Sequence, residues 1–82
     1  MSQSGKFTSK KIREALRSLE PVVGRATIDA LLHDLEVYNL PLVNDRAEYS
    51  LEEIKIALEK IFGETATPLF LERFKRALDA AT

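Results

Sequence analysis

The only histidine of the chain, His33, lies at helical spacing from two carboxylates. Asp29 is four residues before it and Glu36 three residues after it, so the three side chains would share one face of a helix. Imidazole and carboxylate groups can bind metals, but stable zinc sites want tetrahedral sets of ligands, and one helix supplies too few. The sequence has no cysteine to add thiolates. We therefore expect a surface histidine beside two carboxylates, with no metal site and no cofactor.

Carboxylates in the second half of the chain could in principle do general acid–base chemistry; they are Glu52, Glu53, Glu59 and Glu64. Such chemistry needs a pair held in a cleft that shifts its pKa values. Each glutamate also has an ordinary helical role, either near a positive helix N-terminus or paired with Lys55 or Lys60. No glycine-rich phosphate loop, HExxH motif or nucleophile elbow is present. The sequence therefore predicts no catalytic residue and no enzyme activity.

Cations gather near the N-terminus, on Lys10, Lys11, Arg13 and Arg17, with Lys6 just before them. Residues 1–25 carry a net charge of +4, whereas residues 26–82 carry −5 and the whole chain −1. A basic helix can neutralise nucleic-acid phosphates. A solvated helix face is the simpler interpretation, because the domain as a whole is slightly acidic. Nucleic-acid contact through these residues stays the alternative function.

A tight corner at Glu20 and Pro21 joins the first two predicted helices and suggests a helix-turn-helix. In that motif the second helix enters the major groove of DNA. Here the second helix carries Asp29, Asp34 and Glu36, whose carboxylates would face the phosphates. The charge of this helix therefore argues against that mode of DNA binding.

Apolar residues recurring at helical spacing predict the two N-terminal helices. The first covers about Lys10 to Leu19, with Thr8 or Ser9 as its N-cap. The second begins at about Val22 or at Arg25 and ends near Val37. Both present one apolar stripe, which predicts that they pack on a common core.

Local signals mark the two C-terminal helices more clearly. Ser50 followed by Glu53 has the spacing of a capping box just before an apolar run. Gly63 is placed to end that third helix with a left-handed residue. The fourth helix is expected to start near Thr67-Pro68, with threonine as N-cap. An ordered connection from Asn39 to Tyr49 separates the two pairs of helices.

The 82 residues therefore predict an all-α fold, a single small domain of about four helices around one core. Residues 1–8 are expected to be a flexible tail and residues 9–82 the domain. The absence of a long apolar run indicates no membrane span and favours a cytoplasmic protein. The connection should tuck Leu40, Leu42 and Val43 under the helices. The predicted core is Ile12, Leu16, Leu19, Ile28, Leu31, Leu32, Leu35, Ile54, Leu58, Ile61, Phe62, Phe70, Phe74 and Leu78.

Apolar residues beyond the core stripes predict a contact surface. Ile56 and Val37 point away from the main stripes of their helices, and the fourth helix carries a wide apolar arc. A small domain gains stability by burying such a surplus against a second copy. The expected interface of a homodimer, or of a complex with another protein, is Ile56, Leu71, Phe74 and Leu78. Alternatively, the fourth helix is the central helix of a monomer.

Several segments together resemble small archaeal helical output domains of the NitrOD type. The matching residues are the stripe Ile12, Ala15, Leu16 and Leu19, the Leu-Glu-Pro corner at residues 19–21, residues 30–36, and Ala-Leu-Glu-Lys-Ile-Phe-Gly at residues 57–63. The resemblance covers residues 11–78. Domains of this type are attached to receiver modules of two-component signalling proteins, and this chain has no receiver. The resemblance implies a non-catalytic protein-interaction or regulatory domain, a stand-alone signalling output or adaptor module, but no site residues.

Overall fold

The computed structural model describes residues 5–80 and confirms the all-α class. Four helices form the domain, and a small two-stranded sheet is added to them. In chain order the elements are β1 Lys6–Thr8, α1 Ser9–Arg17, α2 Glu20–Val23, α3 Arg25–Val37, β2 Glu48–Ser50 and α4 Leu51–Ala80.

Helix α1 begins where the Thr8 hydroxyl accepts a hydrogen bond from the backbone N–H of Lys11, at 3.2 Å. Of the two predicted N-caps, Thr8 is therefore the one used, because it satisfies an N–H that has no partner within the helix. Ser9 lies in the first turn and is fully buried. The apolar stripe of α1 faces the core, whereas Lys10 and Arg17 are exposed.

The corner after α1 contains an additional short helix. Pro21 lies in the first turn of α2, where its missing N–H costs nothing. Gly24 then separates α2 from α3 with a φ of +96°, a conformation that glycine adopts without steric cost. Of the two predicted starts of the second long helix, Arg25 is therefore correct.

The predicted capping box opens α4. The backbone N–H of Glu53 donates to the Ser50 hydroxyl at 3.1 Å, and the Glu53 carboxylate accepts from the backbone N–H of Ser50 at 2.8 Å. These reciprocal bonds satisfy two N–H groups that would otherwise lack partners at the start of the helix.

Gly63 interrupts α4 with φ +84° and ψ 169°. We refer to residues 51–62 as the first segment of α4 and to residues 64–80 as the second segment. The positive φ predicted for Gly63 is confirmed, but the second segment begins directly after it. Thr67 is therefore not an N-cap: its hydroxyl donates to the Gly63 carbonyl at 2.7 Å, and Pro68 lies inside the helix.

Strands β1 and β2 pair in antiparallel orientation, with Phe7 opposite Tyr49. The backbone N–H of Ser9 donates to the Ala47 carbonyl at 2.8 Å next to this pair. Within the segment expected to be a flexible tail, Lys6–Thr8 form strand β1 and pair with the strand that ends the connection. Residues 1–4 of that tail lie outside the described residues.

One hydrophobic core joins α1, α3 and both segments of α4. Most predicted core residues are buried, and four are only partly buried at its edge: Leu32, Ile61, Phe62 and Phe70. Leu40 and Leu42 of the connection are buried as expected, whereas Val43 is 79% exposed and does not pack under the helices. Within residues 5–80, none of the helices has both the length and the apolar character needed to cross a membrane.

Candidate interaction surface

Arg13, on the basic face of α1, is directed towards the connection between α3 and β2. One guanidinium nitrogen donates to the Leu42 carbonyl, and the other pairs with the Asp45 carboxylate at 2.6 Å. The side chain thus fastens α1 to a loop 29 or more residues away. A cation held in this way presents less charge to a phosphate than a free one.

Arg17, at the last residue of α1, makes two ion pairs. The same guanidinium nitrogen lies 2.8 Å from the Glu20 carboxylate and 2.7 Å from that of Asp29. Hydrogen bonds to Glu20 and Asp29 raise the pKa of Arg17 above its already high value, because they favour the charged form. Half of the predicted phosphate-binding set is thus engaged by groups of the protein itself.

The two lysines of that set are placed differently. Lys10 is exposed, and the Lys11 ammonium lies 5.4 Å from the centre of the Phe7 ring, a cation–π contact. The structure therefore divides Lys10, Lys11, Arg13 and Arg17 into two exposed or ring-bound ammoniums and two ion-paired guanidiniums. It does not bring them together as one uncompensated basic patch.

The histidine–carboxylate group on α3 is not assembled as a ligand set. His33 is exposed, and Asp29 is occupied by Arg17. Within residues 5–80, no three histidine, aspartate or glutamate side chains lie close enough to hold a metal ion.

Among the glutamates considered for acid–base work, Glu53 has a visible structural role. Its hydrogen bonds with Ser50, chiefly the one from the backbone N–H, lower the pKa of Glu53 below its usual 4.5. A carboxylate stabilised in its charged form is a poor general acid near neutral pH. Glu53 is therefore a capping residue.

Three of the four residues of the predicted interface are buried within the single chain. Leu71, Phe74 and Leu78 are 8%, 0% and 2% exposed and belong to the core of the single chain. The wide apolar arc of the fourth helix is covered from several sides by the same molecule, which is the alternative stated above. Ile56, by contrast, is 45% exposed, and Val37 also faces solvent.

A groove of about 380 Å³ lies between the two segments of α4. Its lining residues are Lys55, Glu59, Thr67, Pro68, Leu71, Glu72 and Lys75. Thr67 and Leu71 are buried and form the base. Two lysines and two glutamates surround this base, so the groove combines apolar and charged groups of both signs.

Two exposed apolar side chains of α4, Ile56 and Leu69, do not line this groove but are close in the helix to residues that do. Ile56 is next to Lys55 and three residues before Glu59, and Leu69, 72% exposed, is three residues before Glu72. Residues three apart are neighbours on a helix surface, so each apolar side chain adjoins a lining residue. We call Ile56, Leu69 and the lining residues together the α4 groove surface.

A smaller cavity of about 200 Å³ lies between α3 and the first segment of α4. Leu31, Ile61 and Phe62 give it an apolar lining, and Asp34 is its one charged group. Phe62 also contacts Phe70, with ring centres 5.1 Å apart. This cavity is smaller than the groove and is closed at one side by core residues.

Comparison of the chain with protein-family models, with curated proteins and with solved structures found no match.

The α4 groove surface was not found by sequence reasoning, although Ile56 and Leu71 of this surface belong to the predicted interface. One signal pointed towards it: a helix-ending Gly63 followed almost at once by another helix requires a sharp change of direction. A fourth helix starting near Thr67-Pro68 implies a short loop after Gly63. The space between the two helices therefore did not follow from the sequence.

Proposed function

We propose that this chain is a non-catalytic protein-interaction or regulatory domain that binds a protein partner through the α4 groove surface. The observation that carries the proposal is the combination of a groove with an apolar base, charged walls and two large exposed apolar side chains. Interfaces commonly have an apolar centre surrounded by polar groups. Exposed apolar side chains that adjoin a groove fit this description better than isolated ones do.

The resemblance to NitrOD-type domains agrees with this proposal. It suggests a stand-alone signalling output or adaptor module, in the cytoplasm of an archaeal cell, that also forms homodimers. The charges of the groove suit a partner with mixed charge, because Lys55 and Lys75 are balanced by Glu59 and Glu72. Long-range attraction to a highly charged partner such as nucleic acid would gain little from such a surface.

Photo-crosslinking tests the location of the binding surface. A photoreactive amino acid at Ile56 should crosslink a discrete partner in a lysate of the native organism, and the pair Lys55→Glu and Lys75→Glu should abolish that product. Val22, an exposed valine on α2 that is somewhat more accessible than Ile56, is the control and should give no crosslinked product. The same product from position 22, or its persistence in the charge-reversed variant, would place the contact elsewhere.

A titration with labelled duplex and single-stranded nucleic acid addresses the alternative function. Because Arg13 and Arg17 are ion-paired, we expect no measurable binding even at low salt. Tight binding that weakens steeply with added salt, and that is lost in Lys10→Gln with Lys11→Gln, would favour a nucleic-acid-binding protein instead.

A further inference from the structure

Helix α4 changes direction at one residue. Lys55 and Lys75 line the same groove, yet a continuous helix would hold residues this far apart about 30 Å from each other. Gly63 is the single residue of α4 with non-helical backbone angles. The change of direction thus depends on one glycine, without a loop of its own.

The change of direction at Gly63 interrupts the helical hydrogen bonds. At the start of the second segment, the first backbone N–H groups have no carbonyl four residues earlier with which to pair. The Thr67 hydroxyl donates to the Gly63 carbonyl at 2.7 Å, the bond to a carbonyl four residues earlier that threonine can make within a helix. A continuous helix through position 63 would restore the regular pattern of bonds.

An opened chain cannot persist alone, because the second segment carries part of the core. Phe74 is fully buried, and Leu71 and Leu78 are nearly so. Exposing these side chains to water would destabilise the chain by far more free energy than the restored hydrogen bonds would provide. The same side chains could be buried again in a second copy, since the site they vacate there has the identical shape.

We propose that two copies of this chain exchange residues 64–80, each α4 straightening at Gly63 and packing its second segment on the partner's α1 and α3. The core contacts that the second segment makes within the single chain are then made between chains. Exchange of an identical element is a low-cost route to a dimer, and a short hinge favours it. The exchange specifies how the proposed homodimer would form, but it does not depend on a different protein binding the α4 groove surface, so the two proposals are tested separately.

The variant Gly63→Ala should drive the exchange. Alanine disfavours a φ of +84° and is a better helix former than glycine, and both effects favour the continuous helix. A Cβ at position 63 would meet no atom within 4 Å, so a steric clash does not complicate the comparison. We expect dimerisation at least about tenfold tighter than in the natural sequence. Inserting Gly-Ser-Gly-Ser after Gly63 should have the opposite effect and leave a monomer.

Spin labels distinguish exchange from an ordinary surface dimer. The chain contains no cysteine, so Lys55→Cys with Lys75→Cys gives two defined labelling sites on the two segments. Doubly labelled Gly63→Ala chains are refolded with a large excess of unlabelled Gly63→Ala chains, so that each dimer contains at most one labelled chain. Pulsed electron paramagnetic resonance then measures the distance between the two labels of that chain. Exchange predicts a sedimenting dimer with an intrachain distance of about 30 Å.

Two results would overturn the proposal. One is a Gly63→Ala protein that remains monomeric, and the other is a dimer that retains the short intrachain distance of the groove. Should Gly63→Ala fail to fold by circular dichroism, the natural sequence refolded at high concentration takes its place. A long intrachain distance in its dimer fraction supports exchange; the absence of any long-distance population refutes it.

Discussion

Arg17, the last residue of α1, and Asp29, in the second turn of α3, are joined by a hydrogen bond of 2.7 Å. The same nitrogen also reaches Glu20 at the start of α2. Three helices thus meet at one exposed guanidinium. Because the Arg17 guanidinium is exposed to solvent, its ion pairs add little to the free energy of unfolding. Their main effect is to fix the angles between α1, α2 and α3.

The variant Arg17→Gln should lower the thermal midpoint slightly at low salt. The difference from the natural sequence should shrink as salt is added, because ions screen exposed charge pairs. Lys10→Gln removes an exposed cation from the same helix and should leave the midpoint unchanged. Equal midpoints for Arg17→Gln and the natural sequence at low salt would show that the two ion pairs contribute nothing.

The pH dependence of the free energy of unfolding should reveal the contribution of the charged Glu53 carboxylate. Its folded-state pKa is lowered below 4.5, so the unfolded chain binds this proton more readily than the folded one. The stabilisation is therefore complete above about pH 4.5 and is lost as pH falls through the lowered pKa. Glu53→Gln can keep the capping geometry without the charge.

Urea unfolding across a pH series measures this effect. The stability difference between the natural sequence and Glu53→Gln should be constant near neutral pH and should shrink in acid. Glu52→Gln, in the same helical turn, controls for the general preference for negative charge at a helix start. A Glu53→Gln difference that does not change with pH would contradict the role assigned to the carboxylate.

Phe74→Ala should destabilise the domain by about 3–5 kcal/mol, because it leaves a cavity at a fully buried site. Leu69→Ala, only five residues earlier but 72% exposed, should change stability by less than about 0.5 kcal/mol. Urea midpoints measure both. Similar losses for the two variants would mean that the second segment does not pack as described.

Ser9 and Thr67, whose polar side chains are buried, should respond to substitution in opposite ways. The Ser9 hydroxyl has no hydrogen-bond partner within the described residues, so Ser9→Ala should be neutral or stabilising. Thr67→Val keeps the shape but removes the bond to the Gly63 carbonyl, and should cost about 1 kcal/mol. Thermal midpoints of both variants check this; a marked loss in Ser9→Ala would indicate a partner for its hydroxyl.

Local signals in the sequence predicted the features that neighbouring residues decide. The capping box at Ser50 and Glu53 depends on a spacing of three residues, and the positive φ of Gly63 depends on one residue. The periodic stripes likewise predicted which side of each helix is buried. For these features the relevant interactions lie within a few positions of each other.

Features made by distant residues were not predicted. Strands of three residues show too little alternation to be recognised, and the pairing of Phe7 with Tyr49 depends on the packing of everything between them. The ion pair of Arg13 with Asp45 has the same origin. The groove depends on the angle at Gly63, and a helix-ending glycine indicates where a helix stops but not where the chain goes next.

The β1–β2 pair has a consequence for the order of folding. Phe7 and Tyr49 are opposite each other in the sheet, yet α1, α2, α3 and the connection lie between them in the chain. Helical turns form within about a microsecond, whereas closing so long a loop carries a larger entropic cost. We therefore expect the strands to pair late, after α1 and α3 have packed together. The sheet would then stabilise a helical nucleus that has already formed.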